Sequence, residues 1–285
     1  MKTPKRIEPL VEDGLVDTVV RQLMSGKEAM VYVVRCGEDI RCAKVYKEAN
    51  KRSFRQATHY TESRKMKSSR RARAMEKGTR YGRKAQEDAW QSAEVDALYR
   101  LAAAGVRVPQ PYHFHAGVLL MELVTDAHGE AAPRLNELVL TAEQAHEYHG
   151  ILITQVVRML CAGLVHGDLS EYNVLVGTEG PVIIDLPQAI NAAGNNSAFS
   201  MLERDINNLA TYFGRFAPEL LTTDYAMEIW AHYEGGKLRP EIELTGRFAR
   251  SEKPADVKGV MREIDAAIKE AEEERQRYLQ RMQQQ

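Results

Sequence analysis

The stretch His166-Gly167-Asp168-Leu169-Ser170-Glu171-Tyr172-Asn173-Val174-Leu175-Val176, followed by Val182-Ile183-Ile184-Asp185, decides how the rest of the chain reads. Val174–Val176 and Val182–Ile184 are aliphatic runs on either side of a glycine-containing turn, the pattern of a buried β-hairpin. Pairing them brings Asn173 and Asp185 to the same end. Asp168 stands five residues before Asn173, and Asp185 twelve residues after it. A carboxylate can take or orient the proton of an attacking hydroxyl. An amide oxygen and a second carboxylate can hold Mg²⁺ against phosphate oxygens. A lone Asp or Asn in such a place more often caps a turn beside core strands. Three residues of the right chemistry in this order, with His166 just upstream, favour a catalytic loop.

Two further features lie upstream. Lys44 sits within the apolar run Cys42-Ala43-Lys44-Val45-Tyr46, at the place of the lysine in the V-A-I-K strand of kinases. Burying an ammonium is costly without an anionic partner, and a nucleotide phosphate with a helix glutamate would serve. Glu94 is the candidate, because Trp90, Ala93, Ala97, Leu98 and Leu101 recur at helical spacing over residues 86–104. Taken alone, Lys44 would read as a residue on the solvent face of an edge strand. Ser25-Gly26-Lys27-Glu28-Ala29 is neither GxGxxG nor a Walker A loop. It can still offer backbone N–H groups and a charge to a phosphate.

The remaining pattern is that of an ordinary globular chain. Of 285 residues, 44% are hydrophobic and 28% charged, and 39 basic against 40 acidic residues leave a net charge of −1. This excludes a uniformly basic nucleic-acid coat and an acidic disordered chain. Three scattered cysteines without a CxxC pair make neither a disulfide framework nor a zinc site. There is no apolar leader and no run long enough to span a membrane, so a soluble cytoplasmic protein is expected. Charge is nonetheless uneven. Residues 51–84 hold 13 basic and two acidic residues, a local net of +11, so this stretch reads as a solvated insertion that could meet an RNA or another polyanion. Met30–Cys36 and Ile40–Tyr46 read as a hairpin turned at Gly37, and Val106–Pro111 as an extended linker. Val118–Val124 reads as a buried strand. Residues 141–163 form a helix opened by a Thr141/Gln144 capping box. Residues 200–213 and 218–233 look helical, and 253–285 reads as a polar helix with a frayed end.

These residues resemble the RIO-type atypical serine protein kinases, in the branch without an N-terminal winged helix. Ser25-Gly26-Lys27-Glu28-Ala29-x-Val31-Tyr32 is close to the family's STGKEAxVY loop, and Ala43-Lys44-Val45-Tyr46, Trp90 and Glu94 follow in order. His166-x-Asp168-Leu169-Ser170-Glu171-Tyr172-Asn173 matches H-x-D-L-S-E-[FY]-N, and Ile183-Ile184-Asp185-x-x-Gln188 matches I-I-D-x-x-Q. Arg204-Asp205 before Asn207-Asn208-Leu209 is also similar. The resemblance covers about residues 20–220. It implies an α+β, two-lobed protein-kinase-like fold with a small β-rich N-lobe and a helical C-lobe.

The implied division is an extension over 1–19, an N-lobe over 20–124 with the basic insertion at 51–84, a C-lobe over 125–235 and a polar helical tail over 236–285. The resemblance implies ATP and Mg²⁺ (or Mn²⁺) as cofactors. Asp168 would be the catalytic carboxylate, and Asn173 and Asp185 the metal ligands. Lys44 would contact phosphates and pair with Glu94, while Ser25 and Lys27 would belong to the phosphate-covering loop. Met121 and Leu123 would line the adenine hinge. In this family the metal-binding Asp can itself accept the phosphoryl group, which makes an ATPase-like switch an alternative to protein phosphorylation. Expected partners are ATP, a protein substrate of unknown identity, and an RNA or ribosomal particle through 51–84, with no membrane. Two residues depart from the family's usual pattern: Gly167, where Ala is more frequent, and Pro187 before Gln188, where Ser is common. Competing readings are a small-molecule phosphotransferase of the aminoglycoside type, which shares H-G-D-x4-N, and a catalytically silent RNA-binding scaffold.

Overall fold

The computed structural model describes residues 3–26, 28–47 and 80–248. Lys27, the basic stretch as far as residue 79 and the tail beyond residue 248 lie outside the described residues, as does the Trp90 side chain. Among the described residues the N-terminal part is a five-stranded antiparallel sheet. Its strands are β1 (Thr18–Ser25), β2 (Ala29–Cys36), β3 (Asp39–Tyr46), β4 (Pro111–His115) and β5 (Val118–Glu122), in the order β1-β2-β3-β5-β4. Two helices accompany it, α1 (Glu8–Glu12) and α2 (Arg80–Ala103).

The period-2 alternation of β3 sends its side chains to two different neighbours. Ala43 and Val45 face a cluster with Ile7, Leu10, Val34, Val118 and Leu120, while Tyr46 joins the cluster that holds Val95, Leu98 and Leu101 of α2. Both faces of the sheet are therefore covered, which is why its central strands are apolar on either side and why Lys44 is enclosed. The segment expected to be an N-terminal extension contributes to this core: Ile7 and Leu10 are fully buried, and Arg6 donates to the Tyr46 carbonyl at 2.5 Å.

The sheet has two strands more than the expected hairpin and buried strand. Residues 18–25 form β1, and the expected linker runs directly into β4 at Pro111. β1 exposes most of its side chains, including Arg21 and Gln22, so no clean alternation marked it. β4 opens on a proline, tolerable at the first residue of an edge strand. It turns into β5 through Ala116 and Gly117 at φ +47° and +75°, the left-handed pair of a tight hairpin. An alanine in that position carries no turn signal. Helix α2 begins at Arg80, ahead of the expected start at residue 86.

The C-terminal part is built on α3 (Ala142–Cys161), α4 (Ala198–Phe213) and α5 (Tyr225–Glu234), with a short antiparallel pair β6 (Leu164–Val165) and β9 (Ile190–Asn191) and a hairpin of β7 (Val174–Gly177) and β8 (Gly180–Ile183). The capping box forms as expected: Gln144 N donates to Thr141 Oγ at 3.2 Å, and Thr141 N to Gln144 Oε1 at 3.0 Å. The expected helix over 218–233 is broken into a 3₁₀ turn (Pro218–Thr222) and α5, because Thr223 is extended and Asp224 leaves helical geometry. Residues beyond α5 are tied back by Glu228. This buried carboxylate accepts from the N–H groups of Thr245 (2.9 Å) and Gly246 (2.8 Å) and from the Thr245 hydroxyl at 2.9 Å.

Candidate active site

The β7–β8 register pairs Val174 with Ile183 and Leu175 with Val182, which sets Asn173 and Ile184 side by side at one end. Ile184 N donates to the Asn173 carbonyl at 3.0 Å, so the residue before Asp185 is bound to the residue before β7. Asp185 then takes φ +67°, a left-handed conformation that Asp tolerates better than most residues. Positive φ in a side-chain-bearing residue often accompanies function, and here it follows directly on the strand that delivers the carboxylate.

Asp168 is exposed, and its backbone is pinned from both sides. Its N–H donates to His166 Nδ1 at 3.3 Å, and its carbonyl accepts from Asn173 Nδ2 at 2.8 Å. His166 is buried, and its Nε2–H donates to the Ile184 carbonyl at 3.1 Å, so the proton sits on Nε2. His166 thus links the loop carrying Asp168 to the strand carrying Asp185. Asn173, having committed Nδ2 to Asp168, keeps Oδ1 as an oxygen donor.

Lys44 supplies the third corner. Its Nζ lies 2.5 Å from Glu94 Oε1 and 3.5 Å from Asp185 Oδ1, and its side chain is 15% exposed against 5% for Glu94. Burial works against the ammonium charge, yet Glu94 and then Asp185 outweigh it and hold the Lys44 pKa above the ordinary lysine value. Lys44 therefore stays charged. The Tyr46 ring lies alongside, its centroid 5.4 Å from Nζ. Three segments far apart in sequence, at 44, 94 and 185, meet at one ammonium.

The remaining expected residues lie around this centre. Ser25 ends β1, and its hydroxyl accepts from Lys47 Nζ at 3.3 Å; Lys47 also donates to the Gly26 carbonyl at 2.6 Å. Lys47 thus anchors the loop from below, a role that no spacing in the sequence announced. Met121 pairs with Cys42 near the end of β5, and Leu123 follows that strand's last residue; both are partly buried.

Helix α4 holds the Asp168 loop from beneath. Asp205, 1% exposed, accepts from Gly167 N at 2.7 Å and from Leu169 N at 3.0 Å, while Asn208 Nδ2 donates to the Leu169 carbonyl at 3.0 Å. Arg204 donates to the Gly167 carbonyl. Burial raises the Asp205 pKa to about 6, against the lowering influence of His166, the two loop amides and Arg204.

Gly167 explains itself in this setting. It has φ +81°, and a Cβ there would stand 2.8 Å from the Gln188 carbonyl oxygen and 3.2 Å from Met201 Cε. An alanine does not fit this backbone. Gly167→Ala is expected to cost about 2–3 kcal/mol of unfolding free energy, about 1–2 from the left-handed backbone and the rest from the clash. Urea unfolding measures it, and a loss under about 0.5 kcal/mol would show that the loop relaxes instead.

The donor set suits a hard divalent cation: an amide oxygen from Asn173 and a half-exposed carboxylate from Asp185. Lys44 of the sheet thus meets Asp185 of the mainly helical part, next to the loop that carries Asp168. Comparison with known proteins agrees. A family model for the RIO domain matches residues 30–226. The RIO-type serine/threonine-protein kinase Rio1 of Haloferax volcanii is 36% identical over 210 residues, covering 73% of this chain and 68% of that one. The protein of the same description from Methanocaldococcus jannaschii is 32% identical over 196 residues, covering 67% and 61%. The serine/threonine-protein kinase rio1 of Schizosaccharomyces pombe is 34% identical over 128 residues, covering 44% of this chain and 25% of that one, so the match spans a quarter of the yeast protein.

The chain belongs to the RIO family of atypical serine/threonine-protein kinases. The α+β arrangement that the resemblance implied is present, an antiparallel sheet followed by a mainly helical part. Nothing in the comparisons supports a small-molecule phosphotransferase. No helix among the described residues is long and apolar enough to cross a membrane.

Proposed function

We propose that the chain transfers the γ-phosphoryl group of ATP to a serine or threonine hydroxyl, in a cytoplasmic setting. The observation that carries this reading is the meeting of Lys44 with both Glu94 and Asp185. In the proposed mechanism Asp168 accepts the proton of the attacking hydroxyl as its oxygen bonds to phosphorus and the bond to the ADP oxygen breaks. Asn173 Oδ1 and the Asp185 carboxylate would hold Mg²⁺, or Mn²⁺ in its place. Such an ion supplies charge neutralisation of the phosphate oxygens. Lys44, held charged by Glu94, would set a positive charge beside the phosphates of ATP, and Asp185 would serve both Lys44 and the metal. Ser25 and Lys27 would cover the phosphates, and Met121 and Leu123 would flank the adenine. With a lobe boundary near residue 124, these two residues would lie at the junction.

The acceptor distinguishes two forms of this reading. Incubation with γ-labelled ATP and Mg²⁺, beside Asp168→Ala, is expected to label protein in the wild type alone. Label that survives hydroxylamine at neutral pH marks serine or threonine, and label that hydroxylamine releases marks Asp185 as the acceptor of a switch-like cycle. ATP binding without label or phosphate release would overturn both forms. Residues 51–84 would contact an RNA or ribosomal particle, and RNA affinity that does not fall with salt would remove this part of the proposal.

A further inference from the structure

Residues between α2 and β4 make a set of contacts that the phosphoryl-transfer chemistry does not use. Arg107 Nη1 and Nη2 donate to Glu122 Oε2 and Oε1 at 2.8 and 2.7 Å, a two-pronged pair of the strongest kind. Glu122 Oε2 also accepts from Gln110 N at 3.0 Å, and Glu122 N donates to the Gln110 carbonyl at 2.8 Å. The Arg107 backbone faces the other way. Its N–H donates to Oε1 of Gln155, a buried residue of α3, at 2.8 Å, and its carbonyl accepts from Ile183 N at 2.9 Å. Arg158 of α3 donates to the Gly105 carbonyl at 3.1 Å.

The positions of these partners give the contacts their meaning. Glu122 lies between Met121 and Leu123. Alternation along extended backbone points its side chain away from theirs, so the pair with Arg107 forms behind the hinge. Ile183 is the last residue of β8 and lies two residues before Asp185, the proposed metal ligand. Arg107 therefore touches, through its side chain, the segment proposed to read the base, and through its backbone the strand that carries the phosphate-side carboxylate. Burial works against the Glu122 charge, but the Arg107 and Gln110 hydrogen bonds prevail and hold its carboxyl below the ordinary range. The pair is charged on both sides at neutral pH.

We infer that the Arg107–Glu122 pair is a positioning clamp that holds the hinge at a set offset from the β8 strand, so that the base and the phosphates of one nucleotide are engaged together. The pair acts through the side chains of Arg107 and Glu122, which are engaged with each other. The inference rests on the proposed ATP-binding reading of the cleft. It assigns to these two residues control over nucleotide affinity rather than over the chemical step. A one-sided disruption frees the hinge to shift relative to Asp185, and the nucleotide then meets one half of its site out of register.

The test uses the full chain and a fluorescent N-methylanthraniloyl-ATP probe, with adenosine as competitor, beside steady-state kinetics and thermal melting. Glu122→Gln and Arg107→Gln are each expected to weaken ATP by about five- to tenfold and adenosine, which spans only the base half of the site, by less than about twofold, with kcat at saturating ATP changed less than about twofold. The double variant is expected to be no worse than either single one, because the same contact is lost once. Arg107→Lys, which keeps the charge and loses the fork, is expected to weaken binding about two- to threefold, and it serves if a Gln variant fails to fold. Unchanged affinity with a lowered melting temperature would make the pair a purely structural contact and overturn the inference. A fall in kcat at unchanged affinity would overturn it as well. Failure of the wild-type chain itself to bind the probe would instead overturn the ATP-binding reading.

Discussion

Asp168→Asn is expected to lower phosphoryl transfer by about 10²–10⁴-fold while leaving ATP affinity within about twofold of wild type. The substitution is nearly isosteric, and the contacts that shape the loop at this residue are backbone ones: Asp168 N to His166 Nδ1, and Asn173 Nδ2 to the Asp168 carbonyl. The variant therefore preserves the loop and removes the proposed proton acceptor alone. The loss should appear in kcat, with KM for ATP little moved, since Lys44, Asn173 and Asp185 are untouched. Single-turnover transfer of labelled phosphate, with calorimetric titration of ATP, separates the two. Activity retained within about threefold would remove Asp168 from the catalytic role and return the site to the scaffold reading.

Asp205→Asn is expected to have the next largest effect, about 10- to 100-fold in kcat, through geometry instead of chemistry. Both carboxylate oxygens of Asp205 accept a loop amide, from Gly167 and from Leu169. A side-chain amide has one acceptor oxygen, so one buried N–H of the loop loses its partner, at about 1–3 kcal/mol. The accompanying change in stability is smaller. The raised pKa of about 6 means that burial already penalises the charged carboxyl, and a neutral amide escapes that penalty. The two effects oppose, so the melting temperature should move by no more than about 3 °C while turnover falls.

The pH dependence follows from the same group. Its native pKa of about 6 lies above the ordinary aspartate value of 3.8, so the folded chain holds this proton more tightly than the unfolded one. The stability that this group contributes is full below about pH 4, declines as pH rises to about 6, and is level above that. Turnover runs the opposite way. Below about pH 6 one oxygen of Asp205 becomes a hydroxyl and releases a loop amide, so kcat should fall on the acid side. In the Asp205→Asn variant that acid limb should disappear. An acid limb of unchanged position in this variant would assign it to another group.

The residues proposed to do chemistry stand out in the sequence because their identities and spacing are local. Asp168 and Asn173 belong to one loop, and the aliphatic runs on either side of the glycine turn declared the β7–β8 hairpin that brings Asp185 beside them. Lys44 was legible because an ammonium in an apolar strand demands an anion, and Glu94 stood at the right place on a periodic helix. The strands β1 and β4 were not legible. The first is mostly exposed, and the second begins with proline and turns on an alanine in a left-handed conformation. Their pairing is decided by neighbours that cover them, a tertiary effect that strand patterning does not carry.

By itself, then, the sequence determined the chemical kinds present and the loop that orders them: carboxylate, amide and carboxylate, with a lysine and a glutamate upstream. Tertiary structure decided which of these meet. It brought Lys44 within reach of both Glu94 and Asp185, gave Gly167 and Asp185 their positive φ, set Lys47 beneath Ser25 and joined Arg107 to Glu122, Gln155 and Ile183. The physical reason is one of range. Side-chain type and period act over a few residues, whereas these contacts join segments up to 141 residues apart, and packing of the two lobes around the cleft selects them.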